Sequence, residues 1–382
     1  MSVLIYSFPV LVDIVVSFIL FACSVKVSEL TDQPLVISLI ISVWSITYFI
    51  FSYLCGKVVT QKNVVSILVC SCLIMSLVCL GLSQWVSIPM LYFFVCIGGI
   101  GASAFFTAFQ VFMDMVDQQN EKHISYSTSL YTFSWSLGFS IGPLLSGFLI
   151  HQVVGGWRVA CYGGIGLCFM CIGLLFYVLK AMKRGSRRVV IEDGLKRYEG
   201  KLKLIELSWL GGVVGILAFW LIRSLLPEKC NELGIHIEKQ GVLFFLMSFV
   251  QALTALSLYK SREWMFELKN FIRVNLIGLI GALCFVFGNT FEVYVLGSVL
   301  CGVYGGFFYF LFVFHALVDA SKVSKYVGVN ESLVGLAGIV GPAICGSIAY
   351  FGEFSVASLF GAGLILLCIV IQKKWYAKAS VL

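Results

Sequence analysis

Twelve long, continuously apolar runs dominate the chain. They lie near 5–27, 34–55, 64–82, 89–113, 126–150 and 158–179, then near 205–226, 241–258, 271–288, 293–318, 328–351 and 355–372. Each approaches the ~20 residues that one α-helix needs to cross the hydrocarbon core of a bilayer. They are too long and too evenly apolar for the alternating strands of a membrane barrel. In lipid a helix satisfies all its own backbone groups, so helices are the remaining solution. The expectation is an all-α membrane protein with twelve transmembrane helices. Composition agrees, since only 12% of the 382 residues are charged against about 25% in soluble domains.

Lysine and arginine set the direction of such helices, because cytoplasmic loops retain them. With the N-terminus inside, the inner loops and tail hold 21 of the 26 basic residues and the outer side holds 5. Both termini are therefore expected in the cytoplasm, in the cell membrane. The first span lacks a basic start and a small-residue cleavage site, so it reads as retained rather than as a signal peptide. One long polar stretch interrupts the pattern. It gives residues 1–180 as an N-terminal six-helix bundle, 181–203 as a basic cytoplasmic linker, and 204–382 as a C-terminal six-helix bundle with a short tail. The 14 cysteines sit in or beside apolar runs, as small hydrophobes do. Cys168 and Cys171 have a C-x-x-C spacing but no nearby histidine, and no metal or other cofactor is expected.

Proline placement divides the chain again. Pro143 and Pro342 fall inside spans five and eleven, in the matching patterns Gly142-Pro143-x-x-x-Gly147 and Gly341-Pro342-x-x-x-Gly346, with the two Gly-Pro pairs 199 residues apart. Ala104-Phe105-Phe106 in span four is echoed by Gly306-Phe307-Phe308 in span ten. Matched helix-breakers in two halves suggest a duplicated architecture with a site near the membrane midplane between the halves.

These residues resemble the major facilitator superfamily, over essentially the whole length. Gly138-x-x-x-Gly142-Pro143-x-x-Ser146-Gly147 is similar to the Gly-x-x-x-Gly-Pro-x-x-Gly-Gly motif commonest among its exporters, departing only at Ser146. The resemblance implies the fold of that family, two pseudo-symmetric six-helix bundles. It also implies a gating role for Gly138, Gly142, Pro143 and Gly147, with Gly341, Pro342 and Gly346 as the second copy. Small residues permit close helix contact and proline permits bending; a kinked packing helix is the alternative. Span four, Val95-Cys96-Ile97-Gly98-Gly99-Ile100-Gly101, resembles the family's Arg-x-x-Gln-Gly-x-Gly with its polar members removed. The arginine associated with proton coupling is replaced by Val95. The loop after span two keeps only Gly56, Lys57 and Lys62 of the family's Gly-x-x-x-Asp-Arg-x-Gly-Arg.

Ionisable groups within spans are costly and so mark function. Asp13 is either a hydrated carboxylate near the inner face or a cavity acid that binds a cation or carries a proton. Glu331 binds substrate, titrates, or pairs with an inner-face lysine, the last being favoured. His315 is a proton relay or a packing histidine. Arg158 and Arg223, at outer span ends, are expected to snorkel to headgroups, where Trp85, Trp157 and Trp375 would anchor. Trp44, Tyr48, Trp135, Phe307, Phe308 and Tyr309 are candidate cavity aromatics. A cavity of rings with few charges suits neutral, lipophilic or weakly cationic organic solutes.

The leading function is export of a small organic solute by alternating access, with proton antiport through Asp13, Glu331 or His315. An uptake carrier or uncoupled facilitator is the alternative. A membrane-embedded enzyme would need convergent catalytic residues, and the four histidines (His123, His151, His236, His315) are scattered. A scaffold would normally add a soluble domain. No Walker-type loop supports ATP-driven pumping. The expected working unit is a monomer in the lipid bilayer, partnered by solute and protons and by no nucleic acid.

Overall fold

A computed structural model describes residues 2–31, 34–120, 124–153, 155–183, 204–235, 237–258, 267–318, 322–351 and 354–379. After one helical turn at Ser2–Ile5, they form twelve long helices. The first six are α1 Ser7–Leu30, α2 Pro34–Val58, α3 Val64–Gln84, α4 Ile88–Asn120, α5 Ile124–Gln152 and α6 Gly156–Lys183. The second six are α7 Leu204–Glu232, α8 Ile237–Ser257, α9 Leu268–Phe287, α10 Phe291–Val318, α11 Val323–Phe351 and α12 Phe354–Ala379. Residues 184–203, most of the expected linker, lie outside the described residues, as do His123 and His236.

Most connections are a few residues long, so neighbouring helices run antiparallel. Prolines open two of them: Pro34 is the first residue of α2 and Pro89 the second of α4, where a missing N–H leaves no intrahelical bond unmade. Gly155, with φ of 69°, makes the turn into α6 in a conformation that side chains with a Cβ rarely adopt. Ten of the described helices are long and apolar enough to cross a membrane, and α8 contributes a shorter apolar stretch, Gly241–Ser257. Hydroxyl side chains line helix α5: Ser127, Thr128, Ser129, Thr132, Ser134 and Ser136 are all buried.

The two halves repeat one another in contact as well as in sequence. A methyl added at Gly99 would crowd Thr47 and lie 2.6 Å from the Trp44 carbonyl of α2. One added at Gly302 would lie 2.7 Å from the Met247 carbonyl of α8 and 2.8 Å from Val250. Each of those three positions in the second half is 203 residues beyond its counterpart in the first. Likewise Gly142 sits against Ser17 and Ile14 of α1, and Gly341 against Trp220 of α7. Helix α4 thus lies on α2 as α10 lies on α8, and α5 on α1 as α11 on α7. Both bundles have apolar cores, the first centred on Phe105, Phe109 and Phe112, the second on Phe271, Phe308 and Phe310.

Two antiparallel helix pairs join the halves: α2 with α11, and α5 with α8. Their closest approaches lie towards the end at which α1 begins and α12 finishes, called the terminal end below. There a methyl on Gly56 would lie 2.5 Å from the Gly328 Cα, and the Ser324 hydroxyl donates to the Val59 carbonyl at 3.1 Å. On the second pair, Ser129 donates to the Ala255 carbonyl and Gln251 Nε2 to Ser136 Oγ at 2.8 Å.

Candidate functional site

Above these closures, between the halves, is a cavity of about 120 Å³. The first half lines it with Asp13, Val16 and Leu20 of α1, Trp44 and Tyr48 of α2, Phe106 of α4, and Tyr131, Trp135 and Phe139 of α5. The second half supplies Phe219, Trp220 and Arg223 of α7, Ser248 and Gln251 of α8, Tyr309 and Phe312 of α10, and Asn330, Glu331, Val334 and Gly338 of α11, among others. The rings are paired: Trp44 stacks on Tyr48, and Trp135 meets Tyr309 edge-on, both with centroids 4.8 Å apart.

Glu331 is the polar centre. It belongs to the second half, yet its carboxylate accepts a hydrogen bond from the Tyr48 hydroxyl and another from the Gln110 amide, both of the first half. Gln110 Nε2 also lies 3.2 Å from the Tyr131 hydroxyl, and Tyr131 stacks on Phe109 at 5.6 Å. All of these side chains are buried. Asp13 lines the same cavity, within electrostatic reach of Glu331, and its Oδ2 is buried without a hydrogen-bond partner among the described residues. Buried carboxyl groups are costly unless paired or hydrogen-bonded, so this cluster has the chemistry to take up a proton or a cation.

Several sequence expectations need correction. Among the described residues Glu331 pairs with no inner-face lysine; its hydrogen-bond partners include Tyr48 and Gln110 across the seam. Phe307 and Phe308 do not line the cavity. They pack in the core of the second bundle, where both meet Phe271 edge-on at 6.0 and 6.1 Å. His315 is not at the cavity either: it is buried within the second bundle with Nδ1 2.6 Å from Ser208 Oγ. Arg223 does not reach for headgroups but lines the cavity, its guanidinium carbon 4.8 to 5.1 Å from the rings of Phe139, Phe219 and Phe244. Trp157 is buried and donates to the Leu82 carbonyl at 2.7 Å, whereas Trp85 and Trp375 are exposed.

Trp44, Tyr48 and Trp135 do stand at the cavity, together with Asp13 and Tyr309. Gly138 and Gly142 let α5 lie directly on α1, and Gly341 lets α11 lie on α7; Pro143 and Pro342 sit inside unbroken helices. Gly147 and Gly346 fall in the same helices, with side-chain surroundings outside the described set. Gly56 and Lys57 border a second cavity of about 500 Å³ at the terminal end, lined also by Asp114, Gln61, Lys322 and Lys325; Lys62 is exposed beside it. Sequence reasoning missed Gln110, Tyr131 and Gln251. Gln110 had a signal, being the one amide in the aromatic stretch from Phe105 to Phe112 of α4.

A model of the Major Facilitator Superfamily matches residues 4–313. The chain belongs to that superfamily. Among solved structures it is similar to the human organic anion transporter MFSD10 (TETRAN), with a TM-score of 0.75 at 15% identity, covering 97% of this chain and 98% of that one. At that identity the likeness is one of fold. No curated protein sequence matches the chain. As a superfamily member with this fold, the protein is a multi-pass membrane transporter rather than an enzyme.

Proposed function

We propose that the protein is a secondary transporter that exports a small organic solute by alternating access, in exchange for protons. The observation that carries this reading is the buried tie across the seam, in which Glu331 of one half accepts hydrogen bonds from Tyr48 and Gln110 of the other. A solute entering the cavity from the terminal end must part those groups. A proton on Glu331 withdraws one of its acceptor oxygens and weakens the tie; losing the proton restores it. Asp13, beside Glu331 and with an oxygen unpartnered among the described residues, supplies a second proton site. The Gly-Pro helices α5 and α11 would flex while one bundle rocks against the other.

The excess of lysine and arginine in the loops at the terminal end supports a cytoplasmic terminal end in the cell membrane, so the tie would close the cytoplasmic side of a monomeric unit. Export follows from the likeness of α5 to the exporter motif. One charge moved through 100 mV is worth about 2.3 kcal/mol, and with tenfold per about 1.4 kcal/mol one proton sustains a solute gradient of roughly 50-fold. The hydrophobic Val95, where proton-driven members carry arginine, favours a second reading, an uncoupled facilitator.

Reconstitution tests both. Purified protein is first screened by thermal shift for a stabilising solute, whose flux into proteoliposomes is then measured with and without an imposed pH gradient. Exchange transport driven by the gradient is expected. Flux indifferent to the gradient establishes the facilitator, and absence of flux for every stabilising solute removes the transport reading.

A further inference from the structure

Arg223 is the one cation that lines the central cavity among the described residues. Three phenyl rings surround its guanidinium: Phe219 one turn earlier on α7, Phe244 on α8, and Phe139 on α5 of the opposite half. Ring faces attract a cation but supply no counter-charge, and Arg223 is half-buried, facing the cavity. Among the described residues Arg223 forms no ion pair. Tyr309, Asp13 and Glu331 line the same cavity as Arg223. Counted along their helices, Arg223 is about 28 Å from the start of α7, while Asp13 and Glu331 are about 9 and 12 Å from the starts of α1 and α11, at 1.5 Å per residue. All three helices start at the terminal end. The cavity is therefore polarised, with its acids towards the terminal end and its cation towards the other.

Resting on the transport reading, we infer that Arg223 is a specificity-determining residue and that the solute is an organic anion with a flat apolar or aromatic body. Its acidic group pairs with the guanidinium, whose planar fork matches carboxylate and sulfonate oxygens. Its body lies among Trp135, Tyr309 and the phenyl rings. Pairing with the anion competes with the contact between Arg223 and Phe139, which bridges the halves, so the solute loosens the seam on the side away from the terminal end. This replaces the sequence-based expectation of a neutral or weakly cationic solute, which took Arg223 to face the headgroups.

The test uses full-length protein in nanodiscs of purely zwitterionic lipid, so that no acidic lipid competes for the guanidinium. Three probes share one ring system: naphthalene-2-sulfonate, neutral naphthalene-2-sulfonamide and cationic (2-naphthylmethyl)trimethylammonium. Quenching of tryptophan fluorescence reports binding, since Trp44, Trp135 and Trp220 line the cavity. The sulfonate is expected to bind at least tenfold more tightly than the other two, with that preference lost in Arg223→Gln and partly kept in Arg223→Lys. Equal binding by the three probes, tighter binding of the cation, or a preference unchanged in Arg223→Gln overturns the inference. The wild-type comparison stands even if the variants fail to fold. Sulfonate flux in proteoliposomes separates the two levels: charge-selective binding without flux removes the transport reading alone, whereas flux without charge selectivity removes this inference alone.

Discussion

The two helix pairs that join the halves close the terminal end by different means. Helices α2 and α11 meet through small residues. Gly328 lies on Gly56, Gly335 on the Phe49 backbone and Gly338 on Ser45, in one antiparallel register. The buried hydroxyls of Ser45 and Ser52 on this face have no hydrogen-bond partner among the described residues. Close backbone approach dominates this pair; its polar bonds are the Ser324 hydroxyl on the Val59 carbonyl at the terminal end and the Glu331 tie set within it. Helices α5 and α8 instead meet through Ser129, Ser136 and Gln251, each hydrogen-bonded across the seam. Steric contact is unforgiving of added volume, because packed interfaces cannot absorb even a methyl without strain. Hydrogen bonds traded for water and back are worth about 1 kcal/mol each. One pair is a fitted hinge with a chemical lock; the other is an adjustable clasp.

Five variants test that distinction. Gly328→Leu should have the largest effect: its side chain meets the Gly56 backbone, so flux should be abolished and the seam held open. A cysteine placed at Ser324 should become accessible to a reagent applied from the terminal side. Normal flux in this variant would dissolve the comparison. Next, Gly142→Leu and Gly341→Leu should each abolish flux while leaving insertion intact, since the added side chains meet Ser17 and Trp220 within their own bundles. Transport preserved in both would reduce the Gly-Pro sites to packing.

Glu331→Gln should retain the seam's shape but remove the titrating group, so flux should drop about tenfold and lose its dependence on pH. A pH profile like that of the wild type would locate coupling elsewhere, with Asp13→Asn the next variant to examine. The smallest effect is expected from Ser129→Ala, which removes one bond of the polar pair. Flux within about twofold of wild type and a destabilisation of about 0.5–1.5 kcal/mol, read by thermal unfolding, are the expected outcomes; a loss as severe as that of Gly328→Leu would make the two pairs equivalent.

The helices and their pairing into halves were legible because run length and proline spacing are one-dimensional signals. Which side of a helix faces the cavity was not. A span such as α10 is apolar on every side, so nothing in its periodicity separates Tyr309, which lines the cavity, from Phe307 and Phe308, which do not. Position near a span end suggested that Arg223 reaches outward, but depth fixes no azimuth, and three rings turn it inward. Glu331 was legible as a misplaced charge, whereas its partners Tyr48 and Gln110 lie more than 200 residues away in sequence.

The hydroxyl-rich α5 has a consequence for biogenesis. Its buried hydroxyls are shielded from lipid in the finished fold, and Ser129 and Ser136 are hydrogen-bonded to α8, synthesised about 120 residues later. A ribosome that has finished the first six helices thus releases a bundle with bare polar positions along one flank. Severed at the linker, the two pieces should be rescued by co-expression, each shielding in the other what neither conceals by itself.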